Sequence, residues 1–491
     1  MSDGADGADR PDGADGADGA DGPDGAVIEA DYLIQGGGAV GMAFADQLFT
    51  DTDATMVIVD RHDRPGGHWN EAYPFVRLHQ PASGYGVSSL ALGSGAVDHG
   101  GLNAGFHELA SGHEVVAHFD AVMRQRFLPS GRVTFLSSSE VDDDGVVTSL
   151  LSGARCRVEF GRFVDATHSR MQVPATTPPT YSVADGVTCV PVGELPGVAA
   201  RFDHFTVVGA GKTGMDACVW LLQQGAEPDQ IRWIVPRDPW VLRRANFQPG
   251  AEHFARLCKS LADQVTSVVD CDGVDDLFLR LEAAGELARI DPTVTPGAYH
   301  CAILSDGELA ELRRIDDVVR LGRVRSIHHD RLELDDGTVE ARPDSCYVDC
   351  SAAGIPHRPS KPVFDADRIT LQWVRTCQPT FSAALIGHVE ATFDGDDEKN
   401  LVCRPIEPPT VPVDWIRMMG TELDNRRERA GHPDLEAWHA GTRLDIFSKT
   451  ASERVGVDQE ATTHLGRYLE NVGPARDKLD ELLGSVGSTP A

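Results

Sequence analysis

The chain has 491 residues, of which 41% are hydrophobic and 24% are charged, and its formal net charge is −32 at pH 7. This length allows two or three domains, each with its own core. The acidic balance argues against nucleic acid or an anionic membrane as a partner, because both require basic patches.

Residues 1–26 are predicted to form a disordered acidic tail. The first 25 residues repeat Asp, Gly and Ala, with eight Asp against one Arg, so they have almost nothing to bury. No later run approaches the roughly 18 apolar residues of a spanning helix, and the N-terminus lacks the pattern of a secretion signal. The ten cysteines are scattered without a C-x-x-C pair, and Cys346 and Cys350 are expected to be a core pair. We therefore expect a reduced, cytoplasmic protein.

A strand, glycine turn, helix and second strand are predicted from residue 31 onwards. Residues 31–35 indicate a buried strand, 42–48 have helical spacing, and 55–60 indicate a second strand that ends in an acid. The turn between them contains Gly36, Gly38 and Gly41. Such glycines permit the tight turn, the close approach of a pyrophosphate and the packing of helix on strand. The pyrophosphate would lie at the helix N-terminus, and Asp60 would accept hydrogen bonds from an adenosine ribose.

The same pattern recurs about 170 residues later. Residues 205–208 and 231–235 indicate strands, and 215–222 have helical spacing. The predicted nucleotide contacts of the turn are Gly209, Gly211, Lys212, Thr213 and Gly214. Arg237 follows the second strand, near where the first site has its acid, and a guanidinium there can hold a 2′-phosphate bidentately. The first site therefore favours FAD and the second NADPH, with NADH possible.

Further motifs resemble FAD- and NAD(P)H-dependent flavoproteins, the superfamily of flavin-containing, N-hydroxylating and Baeyer–Villiger (class B) monooxygenases. The resemblance covers roughly residues 30–390. It rests on the order of the glycine turns and on four further features: the Gly-Gly-x-Trp at 66–69, the Tyr-Pro run at 73–79, the crossings at 164–168 and 348–354, and a final stretch at 380–388. It implies that the cofactor contacts also include Arg61, Gly67, Trp69 and Gly387.

Several departures from that family limit what the resemblance implies. His388 stands where the final signature has Asp, His168 replaces a glycine, and His79 replaces the acid that closes the Tyr-Pro run in Baeyer–Villiger enzymes. The F-x-G-x-x-x-H monooxygenase fingerprint is also missing before the second glycine turn. The resemblance therefore implies the family's fold and cofactors more strongly than it implies the Baeyer–Villiger reaction.

The predicted fold class is α/β, with two Rossmann-like dinucleotide-binding domains, the NAD(P)H domain being inserted in a split FAD domain, and a C-terminal helical cap. The expected boundaries are 27–170 for the first FAD part, 171–203 for the crossing, 204–338 for the NAD(P)H domain with a helical insertion near 252–290, 339–404 for the second FAD part, and 405–491 for the cap. The cap is expected to pack on the FAD domain.

The predicted activity is monooxygenation of a small organic molecule at C, N or S, with NADPH and O2, through a flavin peroxide. Arg77 and His79 are the candidate catalytic residues, as a cation and a titratable donor near the flavin edge; a second set is Trp373, Arg375 and Gln378. The alternatives are a reductase or dehydrogenase without oxygen insertion, and a nucleotide sensor; the absent dithiol argues against a disulfide reductase. No metal is expected, because no histidine pair has ligand spacing with a third ligand. The sequence leaves the substrate and the oligomeric state open.

Overall fold

The computed structural model describes residues 25–356 and 358–486. The predicted disordered tail therefore lies almost entirely outside the described residues. Within them there are twenty strands: β1 (Val27–Gln35), β2 (Met56–Val59), β3 (Val133–Leu136), β4 (Ser139–Val141), β5 (Val146–Ser149), β6 (Arg155–Asp165), β7 (Ser182–Val183), β8 (Cys189–Pro191), β9 (His204–Val208), β10 (Ile231–Ile234), β11 (Pro239–Arg243), β12 (Leu287–Arg289), β13 (Ala298–Leu304), β14 (Val318–Val319), β15 (Val324–Ile327), β16 (Arg331–Leu334), β17 (Gly337–Glu340), β18 (Ser345–Asp349), β19 (Phe364–Asp365) and β20 (Arg368–Thr370).

The same ranges contain thirteen α-helices: α1 (Ala39–Asp51), α2 (Gly112–Val122), α3 (Leu195–Val198), α4 (Lys212–Gln223), α5 (Phe254–Asp270), α6 (Val274–Ala283), α7 (Asp306–Leu312), α8 (Pro379–Thr392), α9 (Asp396–Val402), α10 (Pro412–Arg429), α11 (Pro433–Gly441), α12 (Ser448–Arg454) and α13 (Gln459–Val486). None of the helices in the described part of the chain is both long and apolar enough to cross a membrane.

Two sheets with parallel central strands organise the molecule. The strands of the second sheet lie, in sequence, between strands of the first. The first has the strand order β19-β20-β6-β1-β2-β3, in which β19 is antiparallel to β20; β5 pairs antiparallel with β6, and β4 pairs antiparallel with β5. The second has the order β14-β10-β9-β18-β8, with every pair parallel. β20 pairs with β6 although β7 to β18 lie between them in sequence. We call the parts built on these sheets the first unit and the second unit.

The unit boundaries differ from the expected ones at both crossings. β8, within the range expected to be a crossing, pairs with β18 and so belongs to the second sheet. β18 itself lies beyond residue 338 and pairs with β9. The chain therefore returns to the first sheet only after residue 349, because the strand at 345–349 completes the parallel sheet beside β9.

Each unit has its own apolar core, and the C-terminal helices contact both. α1 and α8 pack on the first sheet around Phe44 and Phe381, and α4 packs on the second around Met215. α11 joins the first core through Leu435, whereas α13 packs along α5, where Arg467 pairs with Asp263. The cap therefore spans both units instead of resting on the first alone.

Candidate functional site

The first glycine turn brings the start of α1 against β1 and against the Gly66-Gly67 turn. Gly36 has a φ of +106°, and a Cβ on Gly41 would lie 2.0 Å from the carbonyl oxygen of Gly36. A Cβ on Gly67 would lie 3.0 Å from the Cα of Gly38. Gly38 is the N-cap of α1, which has no side-chain cap and no acid in its first turn. The free N–H groups of this helix start therefore remain available to an anion.

Asp60, at the end of β2, lies in a short chain of charges. One carboxylate oxygen accepts the Gly37 N–H at 2.6 Å, and the other lies 2.7 Å from Nδ1 of His62. Nε2 of His62 lies 2.9 Å from the Glu71 carboxylate. The hydrogen bond to Asp60 and the two nearby acids outweigh burial and raise the pKa of His62 to about 9. His62, which the sequence analysis did not single out, is thus a cation at neutral pH that fixes the Asp60 carboxylate.

Arg61 and Trp69 lie on either side of this charged chain. Arg61 is exposed, and its guanidinium pairs with Glu140 at 3.3 Å. Trp69 packs on the first core and donates its indole N–H to the Tyr85 hydroxyl at 2.9 Å. Neither contact tests whether these residues meet a cofactor, so both assignments stay predictions.

The final expected signature, at 380–388, has a different local structure from the one expected. The stretch lies inside α8 instead of ending a strand, and a Cβ on Gly387 would lie 2.9 Å from the carbonyl oxygen of Phe44 in α1. His388 lies 2.8 Å from Asp51 and stacks on Trp438. Gly387 therefore permits close packing of α8 on α1, and His388 is not a substitute for a ribityl-binding Asp.

The second glycine turn repeats the geometry of the first. Gly209 has a φ of +126°, and a Cβ there would lie 2.4 Å from the carbonyl oxygen of Cys350. A Cβ on Gly214 would lie 2.1 Å from the carbonyl oxygen of Gly209, whereas Gly211 faces open space. Gly211 is the N-cap of α4, which again has no side-chain cap and no acid in its first turn.

The strand that follows the second turn, β10, ends at Ile234 and is followed three residues later by Arg237 instead of directly by an acid. Arg237 is exposed and makes no hydrogen bond or ion pair with any residue that the structure describes. Asp238 is occupied by Arg320, whose guanidinium donates to both carboxylate oxygens at 2.9 and 3.0 Å. This pairing neutralises the acid that would otherwise oppose a phosphate beside Arg237.

The two units meet through a tyrosine of the first and α4 of the second. The Tyr73 hydroxyl donates to Asp216 at 2.6 Å and also hydrogen-bonds to Thr213. Lys212 pairs with Asp216 and lies 3.9 Å from Glu308. Burial, followed by the Asp216 charge, raises the pKa of Tyr73 well above its usual value. Lys212 is thus neutralised by acids of its own unit, and the Tyr73 proton stays in place.

His79 lies at the same junction, next to a buried arginine. The Ile303 N–H donates to Nδ1 of His79 at 3.1 Å, which leaves the proton on Nε2. Arg244, 1% exposed, donates to the carbonyl oxygen of His79 at 3.3 Å and pairs with Glu308 at 2.7 Å. Burial, followed by the charges of Lys212 and Arg244, lowers the pKa of His79 to about 3. The expectation of a titrating His79 is therefore wrong: the side chain is a neutral N–H donor at neutral pH. No motif in the sequence singles out Arg244.

The other candidate catalytic residues are separated. Arg77 is exposed and donates to the Leu109 carbonyl oxygen at 3.1 Å, so its role stays a prediction. Trp373 is buried in an apolar cluster that also contains Trp240 and Trp415. Arg375 pairs with buried Asp445 at 2.8 Å. Gln378 is the N-cap of α8, and its Oε1 is buried without a hydrogen-bond partner among the described residues. Among the described residues, Gln378 Oε1 is thus a buried polar atom of this second set that remains uncommitted.

A disulfide joins the two units beside this junction, contrary to the expectation of a fully reduced chain. Cys301 of β13 is bonded to Cys377, directly before α8, across 76 residues of sequence. The other eight cysteines are free, and Cys346 and Cys350 are both buried. Sequence spacing does not reveal this pair, because the two cysteines come from different units and meet only when β13 lies against the start of α8.

These features define two strand–glycine turn–helix units of the Rossmann kind, one inserted in the other. No family model matches the chain. An uncharacterised protein of Mycobacterium tuberculosis is 45% identical over 462 residues, which are 94% of this chain and 86% of that protein, and an uncharacterised protein of Mycobacterium bovis matches to the same extent. The chain belongs to the same family as these mycobacterial proteins.

Solved structures resemble the chain at a lower level. An oxidised steroid monooxygenase bound to NADP is 13% identical, covers 94% of this chain and 98% of its own, and has a TM-score of 0.49. An open cyclohexanone monooxygenase is 14% identical, with coverages of 93% and 98% and a TM-score of 0.47. A bacillithiol disulfide reductase from Bacillus cereus is 11% identical, with coverages of 74% and 98% and a TM-score of 0.42. Similarity at this level defines neither a superfamily nor an activity for this chain.

Proposed function

We propose that the chain is an FAD- and NADPH-dependent oxidoreductase that oxygenates a small organic molecule with O2. The observation that carries the proposal is the pair of uncapped, acid-free helix starts behind two glycine turns, followed by Asp60 in one unit and Arg237 in the other. Two dinucleotide sites with opposite charge at the ribose position suit FAD in the first and NADPH in the second.

The residues of the first unit fit FAD. The start of α1 offers free N–H groups to a pyrophosphate, and Asp60 is held by His62 with lone pairs left for a ribose. The uncommitted Oε1 of Gln378, at the start of α8, is a further acceptor on the side of the junction. When bound, FAD supplies the two-electron chemistry, and the protein supplies position and electrostatics.

The residues of the second unit fit NADPH. The start of α4 offers the same kind of anion site, and within the part of the chain that the structure describes Arg237 has no partner that a 2′-phosphate would need to displace. Lys212, already paired with Asp216, would keep the turn in place more than supply net charge. Because Tyr73 ties α4 to the first unit and His79 ties β13 to it, the two ligands would be brought towards each other at the junction.

We assign the donor role at the junction to His79 in its neutral form. Its Nδ1 is occupied by the Ile303 N–H, so that only Nε2–H is left to donate, and Arg244 holds its backbone carbonyl. A fixed N–H donor stabilises a developing negative charge without changing its own protonation state. Its strongly lowered pKa keeps this donor neutral throughout the physiological pH range.

The test is anaerobic reduction of the flavin-loaded protein with NADPH, followed by mixing with O2 under stopped-flow absorbance. We expect reoxidation through an oxygen-dependent transient. Immediate reoxidation with stoichiometric H2O2 would overturn the monooxygenase assignment. His79→Asn is the matched variant, because an amide oxygen can still accept the Ile303 N–H while Nε2–H is lost. We expect it to be reduced normally and to shorten the transient roughly 10-fold or more.

The Cys301–Cys377 disulfide favours a second candidate function, an NADPH-dependent reductase. The structure supplies the dithiol whose absence argued against such chemistry. Reduction would convert NADPH, one proton and the disulfide into NADP⁺ and two thiols, which would then reduce a disulfide substrate by exchange. Thiol titration after anaerobic addition of NADPH distinguishes the two functions. The reductase requires two additional thiols per chain, lost in Cys301→Ser, and the monooxygenase requires none.

A further inference from the structure

Two histidines and a glutamate from distant segments meet where the two units join. His107 belongs to the first unit and precedes α2, whereas Glu252 and His253 end a 3-10 turn that leads into α5. The three side chains offer ligand atoms that all lie within 4.8 Å of one another. His107 and Glu252 are 145 residues apart in sequence, and Nε2 of His107 lies 3.4 Å from Glu252 Oε1. We call these three residues the His107 cluster.

The position of His107 is fixed by contacts other than those within the cluster. Its backbone N–H donates to Gln248 Oε1 at 2.9 Å, and buried Gln248 donates in turn to the Arg244 carbonyl oxygen at 3.1 Å. The His107 carbonyl oxygen accepts from Asn103 at 3.0 Å, and residue 107 forms a bridge with Val97. A ligand set held in this way loses little conformational entropy when it binds an ion.

The charges of the cluster suit a cation. His107 and His253 each offer a ring nitrogen whose lone pair can bind a cation. Glu252 adds a carboxylate oxygen, which supplies the negative charge of the site. Nδ1 of His107 is buried and has no hydrogen-bond partner within the described residues. The nearby cation Arg256 is engaged elsewhere, since its Nε–H donates to Asn246 Oδ1 at 3.0 Å.

We propose that His107, Glu252 and His253 bind one divalent first-row transition cation, with Zn²⁺ as the best-suited ion. Two imidazoles and one carboxylate are a common donor set for such ions. The Glu252 side chain is 59% exposed, so water can complete the coordination. The bound ion would connect two segments: the loop that carries His107 and Asn103, and the start of α5. Asn103 also accepts a hydrogen bond from Arg244. The ion would thus hold the two units together. The expectation of no metal came from local spacing, which cannot detect ligands 145 residues apart.

The test titrates Zn²⁺ into the chelator-treated, flavin-loaded full chain in competition with a chromophoric chelator, with Co²⁺ absorbance as a second probe. We expect one saturable equivalent of each ion, with affinity at least about 100-fold lower in His107→Ala and in His253→Ala, and roughly 10-fold lower in Glu252→Gln. His99→Ala is the control, because His99 is exposed in the same loop, and it should bind Zn²⁺ as the unaltered chain does.

Two outcomes would overturn the proposal. One is the absence of a saturable equivalent in the unaltered chain. The other is full retention of binding in His107→Ala and His253→Ala, which would assign the ion to acidic groups elsewhere, such as the eight Asp near the N-terminus. Flavin content and circular dichroism establish that each variant is folded. Should a histidine variant fail to fold, the exposed Glu252→Gln decides, since unchanged affinity there contradicts the proposal.

Discussion

The two glycine turns of the molecule can be compared atom by atom. The helix-side glycines, Gly41 and Gly214, approach the carbonyl oxygens of the first turn glycines so closely that a Cβ would lie 2.0 and 2.1 Å from them. Both following helices start without a cap and without an acid. The turns differ after the next strand, where Asp60 is held by protonated His62, whereas Arg237 has no hydrogen bond or ion pair among the described residues. Under the proposed function, the backbone would provide a general anion site, and one side chain in each unit would determine which nucleotide fits.

The largest expected effect comes from breaking one turn at a time. Gly41→Ala should lose most of the bound flavin, and Gly214→Ala should keep the flavin but lose its reduction by NADPH, because either Cβ overlaps a carbonyl oxygen and displaces the helix start. The strain should cost about 3 kcal/mol or more in each case. Flavin absorbance per chain and the rate of anaerobic reduction check this.

Gly197→Ala is the control for these variants, because a Cβ there meets open space. It should retain both flavin and reduction by NADPH. If Gly214→Ala were reduced by NADPH at the normal rate, the second turn would not be the nicotinamide site.

The next effect sharpens the difference in charge. Arg237→Ala should raise the KM for NADPH roughly 10- to 100-fold, because a charge-assisted hydrogen bond contributes about 1.5–3 kcal/mol. NADH lacks the 2′-phosphate and serves as the internal control, so its KM should stay within about 2-fold. Steady-state kinetics with both nucleotides measure this. An equal rise for the two would indicate a structural role for Arg237.

A smaller effect concerns the free energy of unfolding, which should depend on pH through His62 beside Asp60. The pKa of His62, raised to about 9 by Asp60 and Glu71, exceeds its ordinary value of 6.5. The stabilisation is thus fully present below pH 6.5 and is lost as the pH rises through about 9. After allowance for solvent screening, we expect the unfolding free energy to fall by about 1–2 kcal/mol over this range.

Urea denaturation at pH 6, 7.5 and 9.5 measures this fall. His62→Gln is the matched variant, since an amide can still donate to Asp60 but does not titrate. The variant should be less stable than the unaltered chain at pH 6 and nearly equal to it at pH 9.5. A constant difference between the two across this range would contradict a protonated His62.

The parts of the molecule that sequence patterns predict are those with local causes. The glycine turn, its helix and the acid at Asp60 all follow within 30 residues of one another, so that strand and helix periodicity suffice to place them. The stretch around Gly387 shows the limit of this approach. Its small residues match a strand signature, but they are small because α8 packs closely on α1.

Contacts between distant segments could not be predicted in the same way. Arg244 is fully buried at the junction because Glu308 and the His79 carbonyl oxygen surround it, and these partners lie 64 residues after it and 165 residues before it. Nothing in the sequence indicates that burial, followed by the charges of Lys212 and Arg244, would lower the pKa of His79. The Cys301–Cys377 disulfide has the same origin.

The smallest expected effect tests whether the two turns act together. Tyr73→Phe removes the hydrogen bond by which the first unit holds Asp216 of α4, while Asp216 keeps its pair with Lys212. The unfolding free energy should fall by about 1 kcal/mol. Flavin reduction at saturating NADPH should slow several-fold, because the nicotinamide side is then positioned less firmly against the flavin side.

Tyr32→Phe is the matched control for this prediction. Tyr32 donates to Glu390 at 2.9 Å, so it also makes a tyrosine–carboxylate hydrogen bond, but both partners belong to the first unit. It should lose a similar amount of stability without any change in the rate of reduction. If both variants slowed reduction equally, the effect of Tyr73 would be one of general stability. A slower rate in Tyr73→Phe alone would show that the contact between the units positions the reacting partners.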